Sequence, residues 1–313
     1  MSRCLICLET VEGTQNYHSK CLKEMFGNEV EPELEYNFEE LNELAKKSVH
    51  QRVTVPGVQA KLSLEIQKKT KESNKLTIVG LWGRFILKPP SNHWPELPEN
   101  EHCTMLMAEA AGIEVVRCGL IYLASGEKAY ITKRIDRDDR SKKFAMEDMC
   151  QLSGRMTEDK YKGSHEQIAK IIKKYSENPV FDLTRFFELI LFTYLTGNGD
   201  MHLKNFSLFK DPMLGWKLSP AYDLLSTRLV IPEEKDPEEL ALTLTGKKSN
   251  FHRSTFRKYG KHIGLNNKQI ESLIEKMKKN KTEFRKIISK SFLSDEKKEA
   301  YHKILEHRFQ ALN

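Results

Sequence analysis

Apolar and polar residues alternate at Leu62, Leu64 and Ile66, and short apolar runs recur at Leu76 to Val79, Arg84 to Lys88 and Cys118 to Leu123. A further run, Lys128 to Lys133, follows the turn Ser125-Gly126. Period-two patterns of this length predict strands. One helix interrupts them, from about Asn100 to Ala111, ending before Gly112. Ahead of them an acidic stretch (Glu29, Glu31, Glu33, Glu35) runs into Phe38, Leu41, Leu44 and Ala45 at helical spacing, with Asn37 as the cap. This reads as a linker helix with no chemistry in it. From Met146 on the period becomes helical, near Met146 to Leu152, Ser164 to Tyr175, Leu183 to Thr196, Ser254 to Tyr259, Asn267 to Asn280, Thr282 to Ser291 and Ser294 to Leu312. The last of these carry Lys-rich outer faces, as exposed helices do. One stretch breaks the pattern: Phe206, Leu208, Trp216 and Leu218 alternate around Asp211-Pro212-Met213-Leu214-Gly215, which predicts a hairpin. The pattern as a whole predicts an α+β protein, with a β-rich N-terminal lobe over 1–134 and a mainly helical C-terminal lobe over 135–313.

Composition leaves that picture in place. With 313 residues, 39% hydrophobic and 30% charged, the chain can bury a large core, and its length suits two lobes of about 150 residues each. The excess of 51 Lys+Arg over 44 Asp+Glu gives +7, enough to suit an anionic ligand but short of a nucleic-acid signature, and the basic residues are spread as on a solvated surface. No run of 18 apolar residues occurs and Met1-Ser2-Arg3-Cys4 does not open a leader, so a cytoplasmic protein is expected. Six scattered cysteines are too few for a disulfide scaffold and are expected as thiols.

The candidate chemistry lies on either side of the hairpin. Asp200 and Asn205 stand five residues apart in the polar stretch Gly199 to Ser207, and Asp223 follows the hairpin, which should return it beside Asn205. Phosphoryl transfer needs one carboxylate to orient the attacking hydroxyl, and oxygen ligands for Mg²⁺ on the nucleotide. Asp200 suits the first role; Asn205 and Asp223 suit the second. The interval matches the base-to-Asn spacing of kinase catalytic loops. Lys204 could reach the γ-phosphate, and His202 is read as a hydrogen-bonding residue that fixes the loop around the cofactor. Upstream, Lys88 ends an apolar strand, as the lysine on the ATP phosphates does in kinases, with Glu101 or Glu109 as its carboxylate. The turn through Gly57, Val58 and Lys61 could lay backbone N–H groups over phosphates, although a single Gly there is also what an ordinary β-turn carries. The charged run Arg134 to Arg140 stands where a hinge would offer backbone groups to an adenine, or is a solvated connector. The elements then describe a two-lobed, protein-kinase-like fold. No H-R-D, D-F-G or A-P-E triplet occurs, which excludes an ordinary eukaryotic-type kinase.

Near the N-terminus, Cys4-x2-Cys7 and His18-x2-Cys21 supply four soft ligands at a spacing that could close a tetrahedral Zn²⁺ site; the alternative is a packed, uncharged mini-core.

Taken together, Gly57-Val58-Gln59-Ala60-Lys61, Ile86-Leu87-Lys88-Pro89, Asn100-Glu101, Arg134-Ile135-Asp136-Arg137, Glu147-Asp148-Met149-Cys150-Gln151, Gly199 to Ser207 and Tyr222-Asp223-Leu224-Leu225-Ser226 resemble the HipA-like serine/threonine kinase toxins of bacterial toxin–antitoxin systems. The resemblance implies that Asp200 is the catalytic base, that Asn205 and Asp223 bind Mg²⁺, that Lys88 holds ATP phosphates and that Ile135 lies at the adenine hinge. It also implies autophosphorylation of a hydroxyl just before the Gly turn, where this chain has Thr54, and Pro56 in place of a second Ser. The short N-terminal part resembles the HipT branch, which implies a small HipS-like partner and a HipB-like DNA-binding antitoxin, with DNA reached only through the antitoxin. The implied substrate class is an aminoacyl-tRNA synthetase, whose phosphorylation blocks translation. Two other readings are a small-molecule phosphotransferase of related fold and a catalytically inactive co-repressor subunit.

Overall fold

The computed structural model of the chain describes residues 2–50, 61–68, 74–80, 82–138 and 142–313, with backbone alone for 45–50. The turn at Gly57 and Val58, and Thr54 before it, lie outside the described residues. The chain divides into two compact units, one of Met1–His102, Val116–Lys143 and Lys290–Phe292, the other of Cys103–Val115, Phe144–Ser289 and Leu293–Asn313.

The first unit opens with α1 (Ser19–Phe26), which Gly27 ends in the left-handed conformation at φ 83°, its N–H bonding the Lys23 carbonyl. β1 (Pro32–Glu33) and α2 (Phe38–His50) follow. Asn37 caps α2 as expected: its Oδ1 accepts the Glu40 N–H at 2.9 Å while Glu40 Oε2 accepts the Asn37 N–H at 2.9 Å. Then come β2 (Leu62–Lys68), β3 (Asn74–Ile78), β4 (Phe85–Lys88), α3 (Leu97–Ala110), β5 (Cys118–Tyr122) and β6 (Lys128–Lys133). The strands form one six-stranded sheet in the order β1-β3-β2-β4-β6-β5. All neighbours are antiparallel except the short β1, which runs parallel to β3. Burial of Leu62, Leu64, Leu76, Phe85, Leu87, Ala129 and Ile131 gives this sheet its packed face, and Phe26 of α1 lies against Phe85 with ring centroids 5.6 Å apart. α3 begins in this unit and continues into the second.

The second unit is built on α6 (Pro179–Leu195), preceded by β7 (Met146–Asp148), α4 (Met149–Leu152) and α5 (His165–Tyr175). Asn178 caps α6 and Pro179 opens it, which suits a first turn whose N–H groups have no helical partner. From Asp182 on most of α6 is buried, because aromatic side chains surround it: Phe186 meets Phe206 at 5.3 Å, Tyr194 meets Phe256 at 5.2 Å and Phe192 meets Phe284 at 5.8 Å. The hairpin β8 (Ser207–Asp211) and β9 (Gly215–Leu218) follows, and α7 (Arg253–His262), α8 (Asn267–Lys279), α9 (Lys281–Lys290) and α10 (Asp295–Ala311) complete the chain.

One expected element changes type, and α1 and β1 have no counterpart in the sequence expectation. Met146 to Asp148 is not the start of a helix but a strand, β7, paired with β8 as Met146↔Phe209, Glu147↔Leu208 and Asp148↔Ser207. Pairing wins because the ladder satisfies backbone groups of the hairpin edge, which otherwise lies unpaired. Asp148 then caps the short α4 through a reciprocal bond with Gln151. Among the described residues no helix is long and apolar enough to cross a membrane.

Candidate active site

Lys88 is expected to be a strand-end cation near a carboxylate, and it is one. It closes β4 opposite Tyr130 of β6, and its side chain is buried where an exposed surface lysine would be the common outcome. Its Nζ donates to Glu101 Oε1 at 2.5 Å and stands 5.2 Å from the centroid of the Tyr130 ring. Glu101 is likewise buried, whereas Glu109, the other candidate, is exposed. A cation and a carboxylate taken out of water together need each other, since either alone carries a large desolvation penalty. Lys61, at the start of β2, is exposed. Ile135 lies half-buried in a bend just after β6, where Arg134 donates to the Asp136 carboxylate from Nε at 2.8 Å and Nη2 at 2.6 Å. Burial pushes the Asp136 carboxyl up, but these bonds and the Arg134 charge outweigh it and hold the group below its usual value.

The loop from Gly197 to Asn205 begins where α6 stops. Gly197 has φ 65°, and the loop folds back on itself: the Asp200 N–H bonds Asn198 Oδ1 at 3.1 Å, the His202 N–H bonds the Asp200 carbonyl at 2.8 Å, and the Asn205 N–H bonds the His202 carbonyl at 2.9 Å. Asn205 Nδ2 also donates to the Asp200 carbonyl at 3.0 Å. The donor half of the Asn205 amide is thus spent on the loop, and its Oδ1 has no hydrogen-bond partner among the described residues. A hard carbonyl oxygen so placed is the kind of ligand Mg²⁺ takes.

The hairpin returns the chain as its pattern predicts. The Ser219 N–H bonds the Ser207 carbonyl at 2.9 Å, and the Tyr222 hydroxyl bonds both Ser207 Oγ at 2.5 Å and the Lys204 carbonyl at 3.1 Å. Asp223, the next residue, is therefore carried back to the stretch that holds Asn205. It adopts φ 56°, a left-handed conformation that costs a non-glycine residue free energy and persists only where its surroundings impose it.

His202 and Lys204 stand in specific environments. His202 is buried, its ring edge-on to Tyr161 at 5.0 Å, and burial pushes its pKa down to about 4 against the opposing pull of the Asp200 and Asp223 charges. It is neutral near pH 7, but its buried Nδ1 has no hydrogen-bond partner among the described residues, so the expected loop-fixing bonds come from the His202 backbone and not from that ring atom. Lys204 Nζ is paired with Asp148 Oδ2 at 2.8 Å, so the strand-helix junction at β7 and α4 holds the ammonium.

Two residues that do not stand out in the sequence complete the loop. The Tyr161 hydroxyl donates to Asp200 Oδ1 at 2.5 Å, and burial followed by the Asp200 charge pushes that phenol's pKa up. Thr227 Oγ1 accepts the Gly199 N–H at 2.7 Å and donates to the Gly197 carbonyl at 3.1 Å. Neither belongs to a spacing that marks chemistry; only the fold brings position 161 or 227 to the loop.

A six-stranded sheet with a buried Lys–Glu pair, followed by a helical unit carrying a polar loop and a returning hairpin, defines a two-lobed protein-kinase-like fold. Solved structures share it. The HipA structure from the Shewanella oneidensis MR-1 toxin–antitoxin system, solved with HipB and operator DNA, aligns over 85% of this chain and 70% of its own, with 22% identity and a TM-score of 0.67. The Helicobacter pylori proinflammatory kinase CtkA aligns over 76% of this chain and 90% of its own, with 16% identity and a TM-score of 0.55. In sequence, the HipA-like C-terminal domain matches residues 53–284. A Haemophilus influenzae protein carrying the name "Putative kinase" is 31% identical over 345 aligned positions that span 100% of this chain and 98% of the relative. The chain belongs to the HipA-like family.

Proposed function

We propose that this chain is an ATP- and Mg²⁺-dependent serine/threonine protein kinase that serves as the toxin of a toxin–antitoxin system. The observation that carries the reading is the loop and hairpin: Asp200 and Asn205 share one folded turn, and the bonds of Tyr222 to Ser207 and to the Lys204 carbonyl bring Asp223 back to it. In this reading Asp200 orients the attacking hydroxyl and accepts its proton. Asn205, through the oxygen its own bonding leaves unpartnered, and Asp223, through its carboxylate, would hold the metal. Mg²⁺ bound there supplies charge neutralisation on the nucleotide phosphates. Lys88, oriented by Glu101, binds α- and β-phosphate oxygens, with backbone N–H groups of the Gly57-Val58 turn and Lys61 beside them. Ile135 meets the adenine, and His202 packs edge-on against Tyr161 beside the loop as a neutral ring. Lys204 serves the γ-phosphate by exchanging Asp148 for it.

The substrate class we assign is an aminoacyl-tRNA synthetase, whose phosphorylation stops translation. Thr54 is the proposed autophosphorylation site, and a HipB-like antitoxin with a HipS-like small protein are the proposed partners, in a cytoplasmic setting. The HipA–HipB–DNA assembly of the Shewanella relative supports the antitoxin part of this reading. Phosphoproteomics after brief expression of the wild-type chain and of Asp200→Asn tests it. Phosphosites on a synthetase seen only with the wild type are expected. Growth arrest with identical phosphoproteomes in the two would contradict it.

A further inference from the structure

The N-terminal cluster plays no part in the site described above. The Sγ atoms of Cys4, Cys7 and Cys21 and a ring nitrogen of His18 all lie within 4.8 Å of one another, and none of the cysteines is in a disulfide. In a tetrahedral zinc site with Zn–S bonds of about 2.3 Å, neighbouring ligand atoms stand roughly 3.8 Å apart. Here His18 Nδ1 is 3.4 Å from Cys7 Sγ and 3.9 Å from Cys21 Sγ.

The imidazole is also in the tautomer that a metal requires. His18 Nε2 bonds the Thr10 carbonyl at 2.9 Å. A carbonyl can only accept, so Nε2 carries the proton and Nδ1 turns its lone pair toward the sulfurs. Metal-ligating histidines are fixed in the same way by an acceptor on the far nitrogen.

The backbone prepares the rest. The chain turns tightly from Cys4 to Leu8, where the Leu8 N–H bonds the Cys4 carbonyl at 3.0 Å and Leu8 takes φ 64°, so that Cys4 and Cys7 face the same point. His18 precedes the first residue of α1 and Cys21 lies in its first turn, three residues on, which sets both on one side of the helix start. A packed mini-core would sink these groups among carbon atoms. Instead Cys7, His18 and Cys21 are half-exposed and only Cys4 is fully buried, so four ligand atoms converge without an apolar reason to do so.

We propose that Cys4, Cys7, His18 through Nδ1, and Cys21 hold one Zn²⁺ in a closed structural site. Binding turns three thiols into thiolates, whose protons pass to solvent, and takes up a neutral imidazole; nothing is oxidised or reduced.

The metal secures more than its own loop. The Leu5 carbonyl accepts the Leu120 N–H of β5 at 2.7 Å, and the Tyr17 hydroxyl donates to the Leu120 carbonyl at 2.8 Å. A Cβ at Gly119 would fall 2.7 Å from Ile6 Cγ1, so the turn needs glycine there in order to dock. The Ile6 carbonyl accepts His102 Nε2 at 2.9 Å, and His102 directly follows Glu101, the partner of Lys88. The zinc turn therefore braces both the edge of the sheet and the helical turn that carries Glu101.

Elemental analysis of the purified full chain, after dialysis against metal-free buffer, should find about one zinc per chain in the wild type and below about a tenth in Cys7→Ser/Cys21→Ser. Cys150→Ser, outside the cluster, should keep its zinc. A wild type from zinc-supplemented medium that holds less than about a tenth of an equivalent overturns the proposal, as does full zinc in the double variant or loss of zinc in Cys150→Ser. Should the double variant fail to fold, Co²⁺ added to the metal-stripped wild type decides the question. Intense tetrahedral visible bands with thiolate-to-metal charge transfer support the site, and their absence overturns it.

Discussion

The Tyr161 hydroxyl donates to Asp200 Oδ1 at 2.5 Å, taking one acceptor position of the carboxylate that an attacking hydroxyl would also meet if Asp200 is the base. The phenol and an attacking hydroxyl would share one carboxylate. A hydrogen bond to a charged group contributes about 1.5–3 kcal/mol, so the phenol stabilises the charged carboxylate by an amount that is reduced as Asp200 takes up the hydroxyl proton. Tyr161→Phe should therefore raise kcat/KM for protein phosphorylation by up to about tenfold, a change that corresponds to about 1.4 kcal/mol. Initial rates at limiting protein substrate check this. A large fall in kcat would instead make Tyr161 a residue that orients Asp200.

Lys88 and Glu101 make a pair whose two functions can be separated. Glu101→Gln breaks a buried ion pair, at a cost of about 3–5 kcal/mol, and should lower Tm by several degrees and weaken ATP binding together. Lys88→Met/Glu101→Leu removes both charges and should recover most of the stability while ATP binding stays lost. Calorimetry and nucleotide titration on the two variants check this. Recovery of both properties would make the pair purely structural.

Thr227 positions the loop without touching the reacting atoms. Thr227→Val deletes the hydroxyl that bridges the Gly199 N–H and the Gly197 carbonyl, and should cost about 1–2 kcal/mol in stability. Asp200 stands one residue beyond Gly199, so kcat should fall about tenfold with KM for ATP little changed. Thr227→Ser, which keeps the hydroxyl, should restore kcat. Failure of that rescue would show that the hydroxyl is not what positions the loop.

Buried histidines set the acid limit, His102 among them, its pKa pushed down to about 4 by burial. Burial lowers His202 to about 4 and His165, packed among Phe186, Phe206 and Tyr259, to about 3. Both lie below the ordinary histidine value, so the unfolded chain binds the extra protons. Their stabilising contribution is complete above about pH 6.5 and is lost as the pH falls toward those lowered values. His165→Phe should remove one proton from this linkage. The stability advantage of the wild type should then shrink by about 1.4 kcal/mol for each unit below pH 6.5. Denaturant melts at several pH values check it; a difference independent of pH would contradict it.

The sequence carried the strands and helices whose signal is local. Strand Lys128–Lys133 and the cap at Asn37 stand where the periodicity and cap residue put them, and the helices expected from Ser164 and Ser294 begin one residue later with those serines as their caps. Met146 to Asp148 did not, because its strand exists only through pairing with Ser207 to Asp211, some sixty residues away, a non-local partner that a window of sequence does not contain. The site divides in the same way. Asp200 and Asn205 are linked by a five-residue interval and Lys88 by the end of its strand. Tyr161, Thr227 and the hold of Asp148 on Lys204 arise from contacts far apart in sequence.

In the proposed reaction Asp200 serves phosphoryl transfer from ATP. The most direct measurement is transfer of labelled γ-phosphate to protein by the purified chain, alongside nucleotide binding, for wild type and Asp200→Asn. A general base contributes about 10²–10⁴-fold, so Asp200→Asn should lose transfer by that factor while still binding Mg·ATP. Transfer that persists at the wild-type rate in Asp200→Asn, or a wild type that binds no nucleotide, would contradict it.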